Sequence, residues 1–151
     1  DNCPRAANAN QLDTDNDGTG DVCDDDDDND GVNDSEDALP LDRNESVDTD
    51  GDGIGNNSDN DDDNDNVEDR KDPFPLDSRE SIDTDKDGIG NNADPDDDND
   101  GVMDAEDAFP LDTNETIDTD GDGMGNNADP DDDNDKVKDK QDKFPLDPKQ
   151  K

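Results

Sequence analysis

The chain has 151 residues, of which 21% are hydrophobic and 43% charged, and its 53 acidic residues against 12 basic ones give a formal net charge of -41. Ordinary domains are about half apolar, so a conventional hydrophobic core is excluded, and this much negative charge repels nucleic acid and anionic membrane surfaces and favours cations as partners. No apolar run is long enough to insert in a membrane, and a chain with no His, Trp or Tyr and only two cysteines lacks the usual equipment of an enzyme.

Either the chain is a disordered polyanion or its acidic residues are patterned. Pro40, Pro75, Pro110 and Pro145 stand 35 residues apart, each followed by Leu-Asp, and the tracts DTDNDGTG, DTDGDGIG, DTDKDGIG and DTDGDGMG keep the same step. The predicted organisation is an end of a preceding repeat plus linker over 1–12, then repeat 1 (13–47), repeat 2 (48–82), repeat 3 (83–117) and repeat 4 (118–151). Each repeat holds two twelve-residue loops separated by one residue, eight loops in all.

With each loop numbered 1 to 12, side chains at positions 1, 3, 5, 9 and 12 and the carbonyl of residue 7 are the candidate metal ligands. In repeat 1 these are Asp13, Asp15, Asp17, Asp21 and Asp24 with Thr19, then Asp26, Asp28, Asp30, Asp34 and Asp37 with Val32. In repeat 2 they are Asp48, Asp50, Asp52, Asn56 and Asp59 with Ile54, then Asp61, Asp63, Asp65, Asp69 and Asp72 with Val67. Repeat 3 offers Asp83, Asp85, Asp87, Asn91 and Asp94 with Ile89, then Asp96, Asp98, Asp100, Asp104 and Asp107 with Val102. Repeat 4 offers Asp118, Asp120, Asp122, Asn126 and Asp129 with Met124, then Asp131, Asp133, Asp135, Asp139 and Asp142 with Val137.

These positions hold 37 of the 53 acidic residues, and position 6 is Gly in six loops, where a tight turn demands a left-handed backbone. Hard oxygen ligands in a flexible six- to eight-coordinate shell suit Ca²⁺ better than Mg²⁺. Asn at position 9 lowers the charge of three loops and predicts weaker sites, and Lys136 at position 6, beside Lys138 and Lys140, makes the last loop the weakest. Carboxylates about 4 Å apart repel by about 1 to 4 kcal/mol, so the metal-free chain is expected to expand and calcium to supply folding free energy.

The opening DNCPRAANANQLDTDNDGTGDVCDDDDDNDGVNDSED resembles a thrombospondin type 3 repeat, whose hallmark is DNCPxxxNxxQxDxDxDGxGDxCD followed by DxDxDGxxDxxD. Residues 38–151 resemble its cysteine-free form ending in FPLD, common in secreted and surface proteins of Gram-negative marine bacteria. The resemblance implies an irregular, calcium-organised repeat array with little regular secondary structure and no catalysis, an elongated stack of the eight loops. It also implies about one to two Ca²⁺ per loop, with Asp27, Asp62, Asp97 and Asp132 as further ligands, and a disulfide between Cys3 and Cys23. EF-hands and dockerins need flanking helices for which there is no room, and the GGxGxD tract of calcium β-rolls is missing.

In later repeats Leu39, Phe74, Phe109 and Phe144 occupy the place of Cys3, and Ser58, Ala93 and Ala128 that of Cys23, so Phe74 is expected on Ala93 and Phe109 on Ala128 in place of the disulfide. The position-7 side chains are expected in small apolar clusters with Leu41, Leu76, Leu111, Val47, Ile82 and Ile117. Three sequon matches, at Asn44, Asn56 and Asn114, read as chance in a chain so rich in Asn. Both ends fall inside the pattern, as in a piece cut from a longer protein. The expected function is an extracellular or cell-surface spacer stiffened by calcium between flanking domains of a bacterial secreted or outer-membrane-associated protein. The alternative is an adhesion module that binds a polysaccharide, a matrix protein or itself.

Overall fold

A computed structural model describes residues 1–150. Regular secondary structure among them amounts to one 3-10 turn, Asp69–Lys71. A chain dominated by Asp, Asn and Gly is poor in helix and strand formers, because short polar side chains compete for the backbone hydrogen bonds that helices and sheets need. The chain forms two compact units, Asp1–Arg79 and Glu80–Lys151.

Within each unit one backbone pattern recurs every loop. The N–H of position 9 donates to the carbonyl of the residue just before the loop, at 2.9–3.2 Å in all eight, and so closes each loop into a ring. A turn over positions 8 to 12 ends it, as where the N–H groups of Ser58 and Asp59 both donate to Gly55 O. The four Pro-Leu-Asp segments are β-turns with Pro at the second position: Asp42, Asp77, Asp112 and Asp147 donate N–H to Leu39, Phe74, Phe109 and Phe144.

The only fully buried apolar side chain among the described residues is Cys3. The other buried side chains are polar and mostly acidic, including Asp28, Asp63, Asp98, Asp133, Glu45 and Glu115. The expected apolar clusters do not form a buried core. Leu41, Leu76, Leu111, Val47, Ile82 and Ile117 are all more than half exposed, and of the position-7 side chains Val32, Val67, Val102 and Val137 are half-buried while Ile54, Ile89 and Met124 are exposed. Too few apolar atoms lie near one another to exclude water, so the carboxylates occupy the interior instead.

Candidate metal centres

Every loop uses its aspartates twice, once for the backbone and once for the interior. The N–H of position 6 donates to Oδ2 of position 1 at 3.0–3.2 Å in all eight loops. The N–H of position 5 donates to Oδ1 of position 3 at 2.9–3.1 Å, and that of position 7 to Oδ1 of position 5 at 2.6–2.9 Å. Each carboxylate is thereby fixed through at least one oxygen, and in the first loops Asp48, Asp83 and Asp118 accept a backbone N–H on the other oxygen as well. The carboxylates converge: in the loops opening at Asp13, Asp26, Asp48, Asp61 and Asp83, among others, one oxygen from each of positions 1, 3 and 5 lies within 4.8 Å of the other two.

The second loop of each repeat carries the clearest signature. Oδ1 of Asp26, Asp61, Asp96 and Asp131, and Oδ1 of the adjacent Asp27, Asp62, Asp97 and Asp132, are buried without a hydrogen-bond partner. So are Oδ2 of Asp28, Asp63, Asp98 and Asp133, and Oδ2 of Asp37, Asp72, Asp107 and Asp142. The same four oxygens recur in all four repeats. A buried carboxylate oxygen with no donor costs several kcal/mol unless a cation compensates it. Among the described residues, moreover, no hydrogen bond reaches the carbonyl of Thr19, Val32, Ile54, Val67, Ile89, Val102, Met124 or Val137, the eight position-7 residues. Carboxylates plus one carbonyl per loop form an all-oxygen donor set, which fits a hard divalent cation.

The electrostatics agree with the geometry. Burial, then the neighbouring carboxylates of Asp34, Asp21, Asp24 and Asp28, pushes Asp27 up to about 6. Asp62, Asp97 and Asp132 are raised by burial first and by Asp69, Asp104 and Asp139 next. Asp28, Asp63, Asp98 and Asp133 are raised by burial as well, partly countered by the N–H groups they accept. These are groups pressed together without enough positive charge.

Position 9 plays a part that its residue type alone does not show. Its Oδ1 accepts the N–H of position 2 at 2.8–3.0 Å in every loop. In the first loops its other atom meets a threonine: Thr14 Oγ1 donates to Asp21, and Asn56, Asn91 and Asn126 donate Nδ2 to Thr49, Thr84 and Thr119. In the second loops the threonine is replaced by Asp27, Asp62, Asp97 and Asp132, and two carboxylates face each other there.

Three features were absent from the sequence reading. Position 4 is left-handed in every loop, at Asn16, Asn29, Gly51, Asn64, Lys86, Asn99, Gly121 and Asn134, as position 6 is at its six glycines, Asn66 and Lys136. The signal was available, since Asn and Gly are the residues that accept positive φ with least strain. Second, a glutamate serves as a clamp in repeats 2 to 4. Glu45, Glu80 and Glu115 accept the N–H of Asn57, Asn92 and Asn127 at 3.0, 3.0 and 2.9 Å, and Ser58 Oγ also donates to Glu45. Third, position 8 of the first loops is glycine for want of space. A Cβ on Gly55 would lie 2.7 Å from Glu45 Cβ, and one on Gly125 would lie 2.7 Å from Glu115 Cγ. In repeat 1 the Asn2 side chain lies against Gly20 instead, and the disulfide Cys3–Cys23 closes the same stretch with its Cα atoms 5.9 Å apart. Ala93 and Ala128, expected beneath the phenylalanines, are exposed, and Glu80 and Glu115 fix the adjacent Asn92 and Asn127.

Thrombospondin type 3 repeats match residues 12–45, 82–116 and 117–151. Among curated proteins, thrombospondin-2 of Mus musculus is 56% identical over 41 residues, 27% of this chain and 4% of that protein. Thrombospondin-2 of Homo sapiens and that of Bos taurus are each 65% identical over 34 residues, 22% of this chain and 3% of theirs. The aligned stretch is thus a small part of those relatives. With its repeated Asp-rich loops, buried unpaired carboxylate oxygens and family matches over more than half its length, the chain belongs to the thrombospondin type 3 repeat family of calcium-binding, non-enzymatic repeats.

Proposed function

We propose that the four repeats over 13–47, 48–82, 83–117 and 118–151 bind calcium through positions 1, 3, 5 and 12 and the position-7 carbonyl. Position 9 acts as a further ligand or as a brace, and Asp27, Asp62, Asp97 and Asp132 help to hold a second ion in the second loops. The observation that carries this is the fourfold recurrence of the same buried, unpartnered carboxylate oxygens. About one to two ions per loop answer the charge of -41. The role that follows is a spacer of a secreted or cell-surface protein, of bacterial type by its FPLD turns, which calcium stiffens so that flanking domains stay apart. Calcium offsets the carboxylate repulsion that the loop hydrogen bonds alone must otherwise oppose, and the Cys3–Cys23 disulfide suits an oxidising compartment.

Small-angle scattering across a calcium titration tests this. In chelator the radius of gyration should approach the ~41 Å of an unfolded chain this long, against ~15 Å for a globule, and calcium should contract it cooperatively to an intermediate value. A radius indifferent to calcium would leave a disordered polyanion as the better description.

A further inference from the structure

The last repeat carries a cluster of positive charge that its calcium loops do not need. Between Asn126–Pro130, which ends the first loop of repeat 4, and Lys138–Gln141, which ends the second, lies a cleft of about 560 Å³ lined by Lys138, Lys140, Gln141, Asn126 and Asn127. At the matching positions repeat 1 has Asn33, Ser35 and Glu36, and repeat 3 has Met103, Ala105 and Glu106. Repeat 2 does have cations there, Arg70 and Lys71, but Glu68 pairs with both of them, Lys71 at 3.2 Å. In repeat 4 the place of that glutamate is taken by Lys138. Among the described residues neither Lys138 nor Lys140 has an ion pair, in a chain with 53 acidic side chains.

From this geometry we infer that the cleft between the two loops of repeat 4 binds an acidic sugar, its anionic group on Lys138 and Lys140 and its hydroxyls on the amides of Gln141 and Asn127. Two exposed ammonium groups supply point charges for a carboxylate or sulfate. Sugar hydroxyls need donors and acceptors together. Asn127 donates Nδ2 to Asn114 O, which leaves its Oδ1 as an acceptor, and Gln141, whose backbone N–H donates to Lys138 O, lines the cleft with a side-chain carboxamide that has no hydrogen-bond partner among the described residues. Nucleic acid fits poorly, because the cleft offers no aromatic ring for base stacking and the rest of the chain repels so dense a polyanion. The volume is that of a small-ligand site rather than a protein interface.

The inference rests on the calcium reading, since Asp129 and Asp139 also line the cleft and oppose an anion until a cation offsets them. Binding should therefore require calcium. The test is isothermal titration of the whole chain, in calcium and in chelator, with trigalacturonate, a sulfated disaccharide and a neutral dextran oligomer, for the unaltered chain, K138Q/K140Q and K149Q. The expected result is binding of one or both acidic sugars in calcium, weakened about tenfold or more by K138Q/K140Q and unchanged by K149Q, with no uptake of the neutral oligomer. The acidic sugar that binds identifies the anionic group as carboxylate or sulfate. Equal affinity of K138Q/K140Q, equal binding of the neutral oligomer, or no binding of either acidic sugar overturns it. Lysine-dependent self-association in sedimentation, without sugar binding, also overturns it, in favour of a second copy as the occupant. A calcium titration of the same samples separates the two ideas: if calcium binds and sugar does not, this inference alone fails, and if calcium does not bind, the calcium reading fails first.

Discussion

Two glycines of repeat 4 separate the physical reasons for glycine in these loops. Gly123 has φ +92 and open space where a Cβ would go, whereas a Cβ on Gly125 would lie 2.7 Å from Glu115 Cγ. Gly123→Ala therefore meets only left-handed strain, about 1 to 2 kcal/mol. Gly125→Ala meets no such strain but must push Glu115 aside by about 1 Å to reach an ordinary carbon contact. That overpacking costs about 1 to 3 kcal/mol. It also displaces the carboxylate that takes the Asn127 N–H at 2.9 Å, a bond to a charged group worth about 1.5 to 3 kcal/mol. The total is about 2.5 to 6 kcal/mol, less about 0.5 to 1 for the stiffer unfolded chain in either variant. Urea unfolding at saturating calcium, followed by circular dichroism because the chain has no Trp or Tyr, should rank Gly125→Ala well below Gly123→Ala. Glu115→Ala, which removes the clashing atoms, should make Gly125→Ala nearly harmless on its own background. If Gly125→Ala proves the milder variant, or the two changes simply add, the glutamate does not act as a clamp.

Other predictions concern protons, thiols and the lysine loop. Asp27 has its pKa raised from 3.8 to about 6 in the fold, so the metal-free fold loses stability as pH rises from about 4 through 6, where the unfolded chain gives up the proton first. Calcium needs the carboxylate, so its affinity should fall as pH drops through 6 and binding near that pH should release protons, which calorimetry in two buffers of different ionisation enthalpy will register. Reducing Cys3–Cys23, which closes a 20-residue separation, should cost about 3 kcal/mol and loosen repeat 1 while leaving repeats 3 and 4 intact, as hydrogen exchange with and without reductant would reveal. Lys136 has φ +78, so Lys136→Gly should stabilise the last loop by about 1 kcal/mol and tighten its calcium binding, measurable as a lower calcium midpoint.

Much of the site was legible because its grammar is local. Asp at positions 1, 3 and 5 and Gly at 6 lie within one tight turn, so spacing alone identifies which carboxylates meet, and the loops opening at Asp26 and Asp61 gather them as the spacing requires. What was not legible depends on groups a dozen residues apart. Glu45 reaches Asn57 from outside the loop, and its neighbours Asn44 and Ser46 spell a sequon that draws attention elsewhere. Position 9 carries an oxygen in every loop, but only the hydrogen bonds of Asn56 to Thr49 N–H and Oγ1 reveal its brace. The apolar residues misled for a related reason. Residues such as Leu41 and Ile82 repeat in strict register, which suggests clusters, but register says nothing of whether enough apolar neighbours exist to bury them.

An interior made of carboxylates rather than hydrocarbon changes how stability responds to temperature. The heat capacity of unfolding comes mainly from apolar surface newly exposed to water, about 12 to 15 cal/mol/K per residue in ordinary proteins, and polar surface subtracts from it. With Cys3 as the only fully buried apolar side chain among the described residues, this chain should fall far below that range. Its stability curve should then be shallow, with no cold denaturation near the freezing point of water and no sharp optimum. On the proposed calcium role, what moves the folded population is the chemical potential of the cation, so the same protein should keep its form from cold water to warm and lose it on transfer to a dilute, calcium-poor medium.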